Sequence, residues 1–123
     1  MINRYFQTLI LVLYTFMCTA QGQEIQIFTL ADFDLKENVK FCLVSTDYGK
    51  EEYNFNKKGF LTKAVTRYND TDYDVVFYKY SAGELTEKRS ESYRNNEFDP
   101  STSIAHFYQI DSTDNIKIQE RIF

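Results

Sequence analysis

Asp70-Thr-Asp72-Tyr-Asp74 sets three carboxylates at alternate positions, the cluster in this chain whose residue types and spacing best suit metal chemistry. Acids repeated in this way offer hard oxygen ligands, and a calcium-binding loop opens with the same pattern. Such a loop continues with Gly at its sixth position and Glu at its twelfth. Here those positions hold Val75 and Ser81. The expected role of Asp70, Asp72 and Asp74 is therefore a solvated hairpin tip, with calcium binding as the weaker alternative. Asn69-Asp70-Thr71 also fits the N-glycosylation acceptor pattern, which is used only in a eukaryotic secretory pathway.

The remaining reactive residues do not assemble into a catalytic set. His106 is the single histidine, which excludes a multi-histidine metal centre. It alternates with Ile104 and Tyr108, as a packed strand histidine would. Glu51 and Glu52 are neighbours on an expected strand and so face opposite ways, which prevents joint acid–base work. Ser101, Ser103 and Ser112 lack the G-x-S-x-G setting of an activated serine. Only four glycines are present, and no stretch forms a phosphate-cradling loop. The expectation is a protein without catalytic residues or cofactor. A hydrolytic accessory role through the aspartates or His106 is a minor alternative.

The elements that must carry these residues are written as a repeat. Tyr53-Asn-Phe55-Asn-Lys-Lys-Gly59-Phe-Leu61-Thr returns, one residue shorter, as Tyr78-Lys-Tyr80-Ser-Ala-Gly83-Glu-Leu85-Thr, and Gly59 and Gly83 stand 24 positions apart. A looser third copy runs from Tyr108 and Ile110 through a polar turn to Asn115 and Ile116. A recurrence of this length marks a repeated supersecondary unit. Residues i and i+2 of a strand share a face. Tyr53 and Phe55, like Tyr78 and Tyr80, should therefore point the same way. A glycine should then reverse the chain and bring Leu61 or Leu85 back beside the rings, each such pair contributing roughly 0.2–1 kcal/mol.

Composition supports sheet throughout. Aromatics make up 17% of the chain and Thr is frequent, which favours pleated strands over helix. Runs with period-two alternation are separated by Asn-, Asp- and Gly-rich turns. The expected fold is all-β: an antiparallel meander of about seven or eight strands between Ile25 and Phe123, as a single curled sheet or a partly open barrel. The stretch Arg94–Ser103, with the only proline, is expected to be a wide, mobile connection. Asp32–Asn38 is expected to be irregular.

The first twenty residues have a different character. Asn3 and Arg4 precede an apolar run from Tyr5 to Met17, followed by the small residues Cys18, Thr19 and Ala20. That is the layout of a secretory signal peptide, with cleavage after Ala20 or after Gly22. The run falls short of the roughly 20 apolar residues that a membrane-crossing helix needs, so no integral membrane segment is expected. Acylation at Cys18 is the minority alternative, giving a lipid anchor. Residues 21–123 then form a single domain with one cysteine, Cys42, expected to be a buried thiol. Loss of Arg4 shifts the formal charge from −4 to −5. An acidic domain of this kind argues against nucleic acid as a partner.

The aromatic–x–aromatic–turn–Gly–x–Leu units resemble the YD or RHS-type repeats of bacterial surface and secreted proteins. The lead-in from Phe33 to Lys40 resembles the segment that precedes such units in small exported proteins of the Bacteroidetes. The similarity covers Phe33 to Lys117. The usual Asp after the second aromatic is replaced by Asn56 and Ser81, and the third unit has Asn115 in the glycine's place. The resemblance implies a β-sheet protein and carries over no catalytic residues, while the signal-peptide layout sets the expected location as the periplasm, cell surface or medium. The expected role is to bind a protein or glycan partner at the cell envelope, with assembly through sheet edges as the alternative.

Overall fold

A computed structural model describes residues 25–110, 113 and 115–123. The expected leader, its cleavage positions and Cys18 lie outside the described residues, as does Ser112. Seven strands follow one another along the chain: β1 (Phe41–Thr46), β2 (Gly49–Phe55), β3 (Leu61–Arg67), β4 (Tyr73–Ser81), β5 (Glu84–Arg94), β6 (Glu97–Ile110) and β7 (Ile116–Ile122). They pair in that same order, all antiparallel, in one sheet. Among the described residues β1 and β7 are the two edges and do not pair with each other, so the sheet is not closed into a barrel. Among the described residues no helix is long and apolar enough to cross a membrane.

The repeat is realised as a repeated irregularity. In the first hairpin Phe55 pairs with Leu61 and Asn54 with Lys63, so Thr62 has no partner across the ladder. In the second, Tyr80 pairs with Leu85 and Lys79 with Glu87, so Thr86 is the unpaired residue. An extra residue of this kind is a β-bulge. It reverses the inward–outward alternation of its strand. Leu61 and Val65 are therefore on opposite faces despite their even spacing, and so are Leu85 and Arg89. Without the two threonines, both leucines would turn away from the rings they are meant to meet.

The third unit keeps the pairing and drops the bulge. Tyr108 faces Ile118 and Ile110 faces Ile116 in unbroken register, with Lys117 opposite Gln109 where the earlier units hold a threonine. At this third turn the Asn115 side-chain amide donates to the Thr113 hydroxyl at 2.6 Å. The two repeat glycines adopt matching left-handed conformations, Gly59 at φ +81° and Gly83 at φ +80°, which side-chain-bearing residues adopt at a cost.

Phe55, Leu61 and Leu85 are buried on one face, called here the repeat face. The chain before β1 crosses that face as a strap. Phe33 packs against Tyr53 and Phe55, with ring centroids 4.7 and 5.4 Å away, and Phe28 packs edge-on against Tyr78 at 6.3 Å. Two backbone bonds pin the strap to the first repeat hairpin, Leu30 N–H to Gly59 O and Leu61 N–H to Phe28 O. The alternating residues before Leu30 thus make one isolated bridge, Thr29 to Phe60, rather than an eighth strand. A 3-10 turn at Leu30–Phe33 follows, its start held by the Asp32 carboxylate, which accepts from Thr29 N–H and hydroxyl.

Arg94–Ser103 is not a wide connection. Asn95 and Asn96, at φ +54° and +63°, form a two-residue reversal, and β6 begins at Glu97. Asparagine tolerates the left-handed region that such hairpins require, so the tight turn was concealed by the later proline. The irregular part lies inside the strand: Ser92 pairs with Asp99 and Ser90 with Ile104, leaving Pro100–Ser103 as a long bulge. Asp99 caps it, accepting from Ser101 N–H and hydroxyl at 3.0 and 2.6 Å. Ser103, 1% exposed, accepts from Ser92 N–H and donates to Asp99 O.

Candidate functional site

The opposite face carries a line of rings and cations that crosses the sheet. Register places Arg67, Tyr73, Tyr93 and Phe98 directly beside one another on β3, β4, β5 and β6. Tyr73 and Tyr93 stack with centroids 4.8 Å apart and planes 11° from parallel. Phe98 continues the line at 5.8 Å from Tyr93, and Phe123 stands edge-on to Phe98 at 5.8 Å. The cations close both ends. The Arg67 guanidinium sits 4.9 Å from the Tyr73 centroid and that of Arg89 sits 5.4 Å from Phe123. Cation–ring contacts of this kind contribute roughly 0.5–1 kcal/mol at exposed sites.

Phe98 joins this face only because of the long bulge. Counting back from Ala105 by regular alternation would place it on the repeat face. Pro100–Ser103 shifts the parity, and Phe98 emerges beside Tyr93. The expected connection at Arg94–Ser103 hid this member of the line from sequence reasoning. The available signal was Asp99-Pro-Ser101, a capped-turn sequence inside an otherwise extended stretch.

Acids and apolar residues complete the face. Glu52 accepts from Arg67 Nε at 2.8 Å, and this bond holds the arginine's ionisation above its ordinary range. Glu87, itself buried, meets Lys79 and Arg89 at 3.1 Å each. The Tyr93 hydroxyl donates to Glu91 at 2.8 Å, and that carboxylate, with burial, raises the phenol's pKa. Val65 and Val75 pair beneath, between the Lys63–Phe77 and Arg67–Tyr73 contacts, and both are buried. Phe98 and Phe123 are each 42% exposed. The line is contiguous and open to solvent.

The residues singled out for chemistry are placed elsewhere and are engaged one by one. At the Asp70–Asp74 turn, Asn69 Oδ1 accepts from Thr71 N–H, Thr71 hydroxyl and Asp72 N–H. Asp72 accepts from Asn95 N–H at 2.9 Å, which together with Asn69 and Thr71 holds its carboxyl below the usual range. Burial alone would raise Asp74. The Tyr68 hydroxyl at 2.7 Å, Ser92 and Arg94 outweigh it, and its pKa is lowered. Arg94 Nη1 lies 3.0 Å from Asp74 as an ion pair while donating to Tyr73 O and Tyr93 O. The turn thus clasps the β5–β6 reversal. Among the described residues no group of three His, Cys, Asp or Glu side chains could hold a metal ion.

His106 is a half-buried strand residue on the repeat face, with Nε2 3.3 Å from Glu120. Glu51 and Glu52 do face opposite ways: Glu51 accepts from the Tyr53 hydroxyl, and Glu52 pairs with Arg67 across the sheet. Cys42 is a free thiol, half-buried rather than buried because β1 is an edge strand. A cavity of about 320 Å³ lies between strap and sheet, with Phe28, Tyr78, Leu85 and Tyr108 in its lining. Burial there raises the Tyr78 and Tyr108 phenols.

Fold and site together define a class: a single-sheet antiparallel β-meander that presents a cross-strand ladder of aromatic rings and cations. No protein-family model, curated protein or solved structure matches the chain.

Proposed function

We propose that the chain is an exported, non-enzymatic β-sheet module that binds a protein or glycan partner at the cell envelope through its ladder face. The observation that carries this reading is the unbroken, solvent-open line from Arg67 through Tyr73, Tyr93 and Phe98 to Phe123. Tyrosine gives large amphipathic contact area at small cost in side-chain entropy. Contiguous exposed apolar surface of this kind marks interaction sites. The signal-peptide layout of residues 1–20 and the YD-like repeats support export.

The test is a comparison on immobilised oligosaccharide and peptide arrays between residues 21–123 and the same chain carrying Tyr73→Ala and Tyr93→Ala. Capture by the parent and its loss in the variant are expected. Equal capture by both, or by neither, refutes the reading.

A second reading has its own observation. Edge strand β1 exposes Phe41, Leu43 and Val44, and edge strand β7 exposes Ile116, Ile118 and Ile122. Unpaired edges of this kind invite pairing with another chain. Assembly through the edges predicts oligomers by light scattering at high concentration, and a monodisperse monomer counts against self-association.

A further inference from the structure

Charge is sorted between the two faces of the sheet. The cross-strand register assigns Lys50, Lys63, Arg67, Lys79, Arg89, Lys117 and Arg121 to the ladder face, with Glu52, Glu84, Glu87 and Glu91 as its acids. Seven cations against four acids leave that face at +3. The strands' other face holds Lys88 and Arg94 against Glu51, Asp74, Glu97, Asp99 and Glu120. Two cations against five acids leave it at −3. The chain as a whole is at −4, so the basic face runs against the overall charge.

Not all of that positive charge is spent internally. Glu52, Glu87 and Glu91 engage Arg67, Arg89 and Lys79. Lys63 and Arg121 contact the rings of Phe77 and Phe107 instead, at 5.7 and 5.4 Å. On this side Tyr73 lies between Arg67 and Tyr93, and Phe77, Phe107 and Phe123 each carry one cation against the ring. The excess of cations on this face favours an anion.

The same occupancy separates the classes of anionic polymer. Sugars and nucleic-acid bases are held by stacking on open ring faces, as single-stranded nucleic acids are on aromatic platforms. Here the faces of Tyr73 are taken by Arg67 and Tyr93. An extended polypeptide needs no stacking. Its alternate side chains repeat at about 6.6–6.8 Å, the spacing of same-face residues along a strand, and strands lie about 4.8 Å apart. Carboxylates can meet the cations while apolar residues between them meet Phe98 and Phe123.

We infer that the ladder face docks an acidic polypeptide segment in extended form. This rests on the ladder face being the binding face and names the partner that fits it. Binding to such a surface is electrostatically steered and weakens with salt.

The test is calorimetric titration of residues 21–123 with poly-L-glutamate, polygalacturonate and oligo-dT in low and high salt. Poly-L-glutamate is expected to bind best, and to weaken at least roughly tenfold in Lys63→Glu/Arg121→Glu and in high salt. Lys63→Gln/Arg121→Gln should weaken it less, and Lys88→Glu on the other face should leave it unchanged. Circular dichroism checks that each variant is folded. Stronger binding of polygalacturonate or oligo-dT, still lost in the Lys63/Arg121 variants, overturns the polypeptide assignment and leaves the binding face standing. Poly-L-glutamate binding that ignores Lys63 and Arg121 overturns the assignment of the face itself. If no anionic probe binds, the acidic partner is refuted, and the Tyr73/Tyr93 array comparison decides the binding face separately.

Discussion

The Thr62 hydroxyl donates to the carbonyl of Asn54 across the first repeat hairpin at 3.1 Å, and Thr86 makes the same bond to Lys79 at 3.2 Å in the second. Each threonine is the extra residue of a bulge and bonds to the residue between the two paired aromatic positions. The Leu-Thr of the repeat is therefore a unit. Threonine makes the bulge and satisfies a carbonyl, and the bulge turns leucine onto the ring face. Thr62→Val and Thr86→Val should each destabilise by about 0.5–1.5 kcal/mol, the net value of such a bond. Urea denaturation checks this. Unchanged midpoints would mean that the hydroxyls are incidental.

The β4–β5 reversal contains a residue that fits its conformation poorly. Ala82 stands at φ +52° ahead of Gly83 at +80°. A two-residue hairpin with both φ values positive favours Asn-Gly, and an alanine in the left-handed region costs roughly 1–2 kcal/mol. Ala82→Asn should raise the thermal midpoint by relieving part of that cost. An unchanged or lower midpoint would contradict the turn geometry.

Ser103 tests the long bulge. It is buried, and it is the partner of Ser92 N–H. Ser103→Ala strands that donor, which costs about 1–3 kcal/mol. The variant should also loosen Phe98, since the bulge sets its face. A smaller chemical-shift dispersion at Phe98 and Tyr93 would accompany the lost stability. Loss of stability without that change would separate the bulge from the ladder.

Alkaline pH offers a further test. Burial pushes the Tyr53 phenol up to about 12, aided by the hydrogen bond to Glu51, and burial does the same for Tyr80. The Tyr80 hydroxyl also donates to Leu61 O, tying the second repeat to the first. Unfolded tyrosine ionises near 10, so both folded values are raised. Their stabilising contribution is complete below pH 10 and is lost as pH climbs from about 10 to about 12. Tyrosinate absorbance should show two phenols titrating last, and the denaturation midpoint should fall across that window. Titration of every tyrosine near the ordinary value would be inconsistent with this packing.

The repeat was legible because its signals are local. Paired aromatics two residues apart, a glycine and a leucine specify a hairpin without reference to the rest of the chain, and Phe55–Leu61 and Tyr80–Leu85 are the pairs they imply. The ladder was not legible in the same way. Tyr73, Tyr93, Phe98 and Phe123 come from three strands and the C-terminal residue, and they meet only once every register is set. Two of those registers depend on bulges, and a single-residue slip moves a side chain to the other face. The acidic turn was visible as a composition. Its actual work, holding Asn95 and Arg94 at the neighbouring reversal, required the fold.

The most direct test of the binding face is a map of backbone amide shifts in isotope-labelled residues 21–123 during titration with poly-L-glutamate. Shifts concentrated at Lys63, Arg67, Tyr73, Tyr93, Phe98 and Arg121 are predicted. Shifts confined to the β1 edge, to the Asp70–Asp74 turn or to the strap would contradict it.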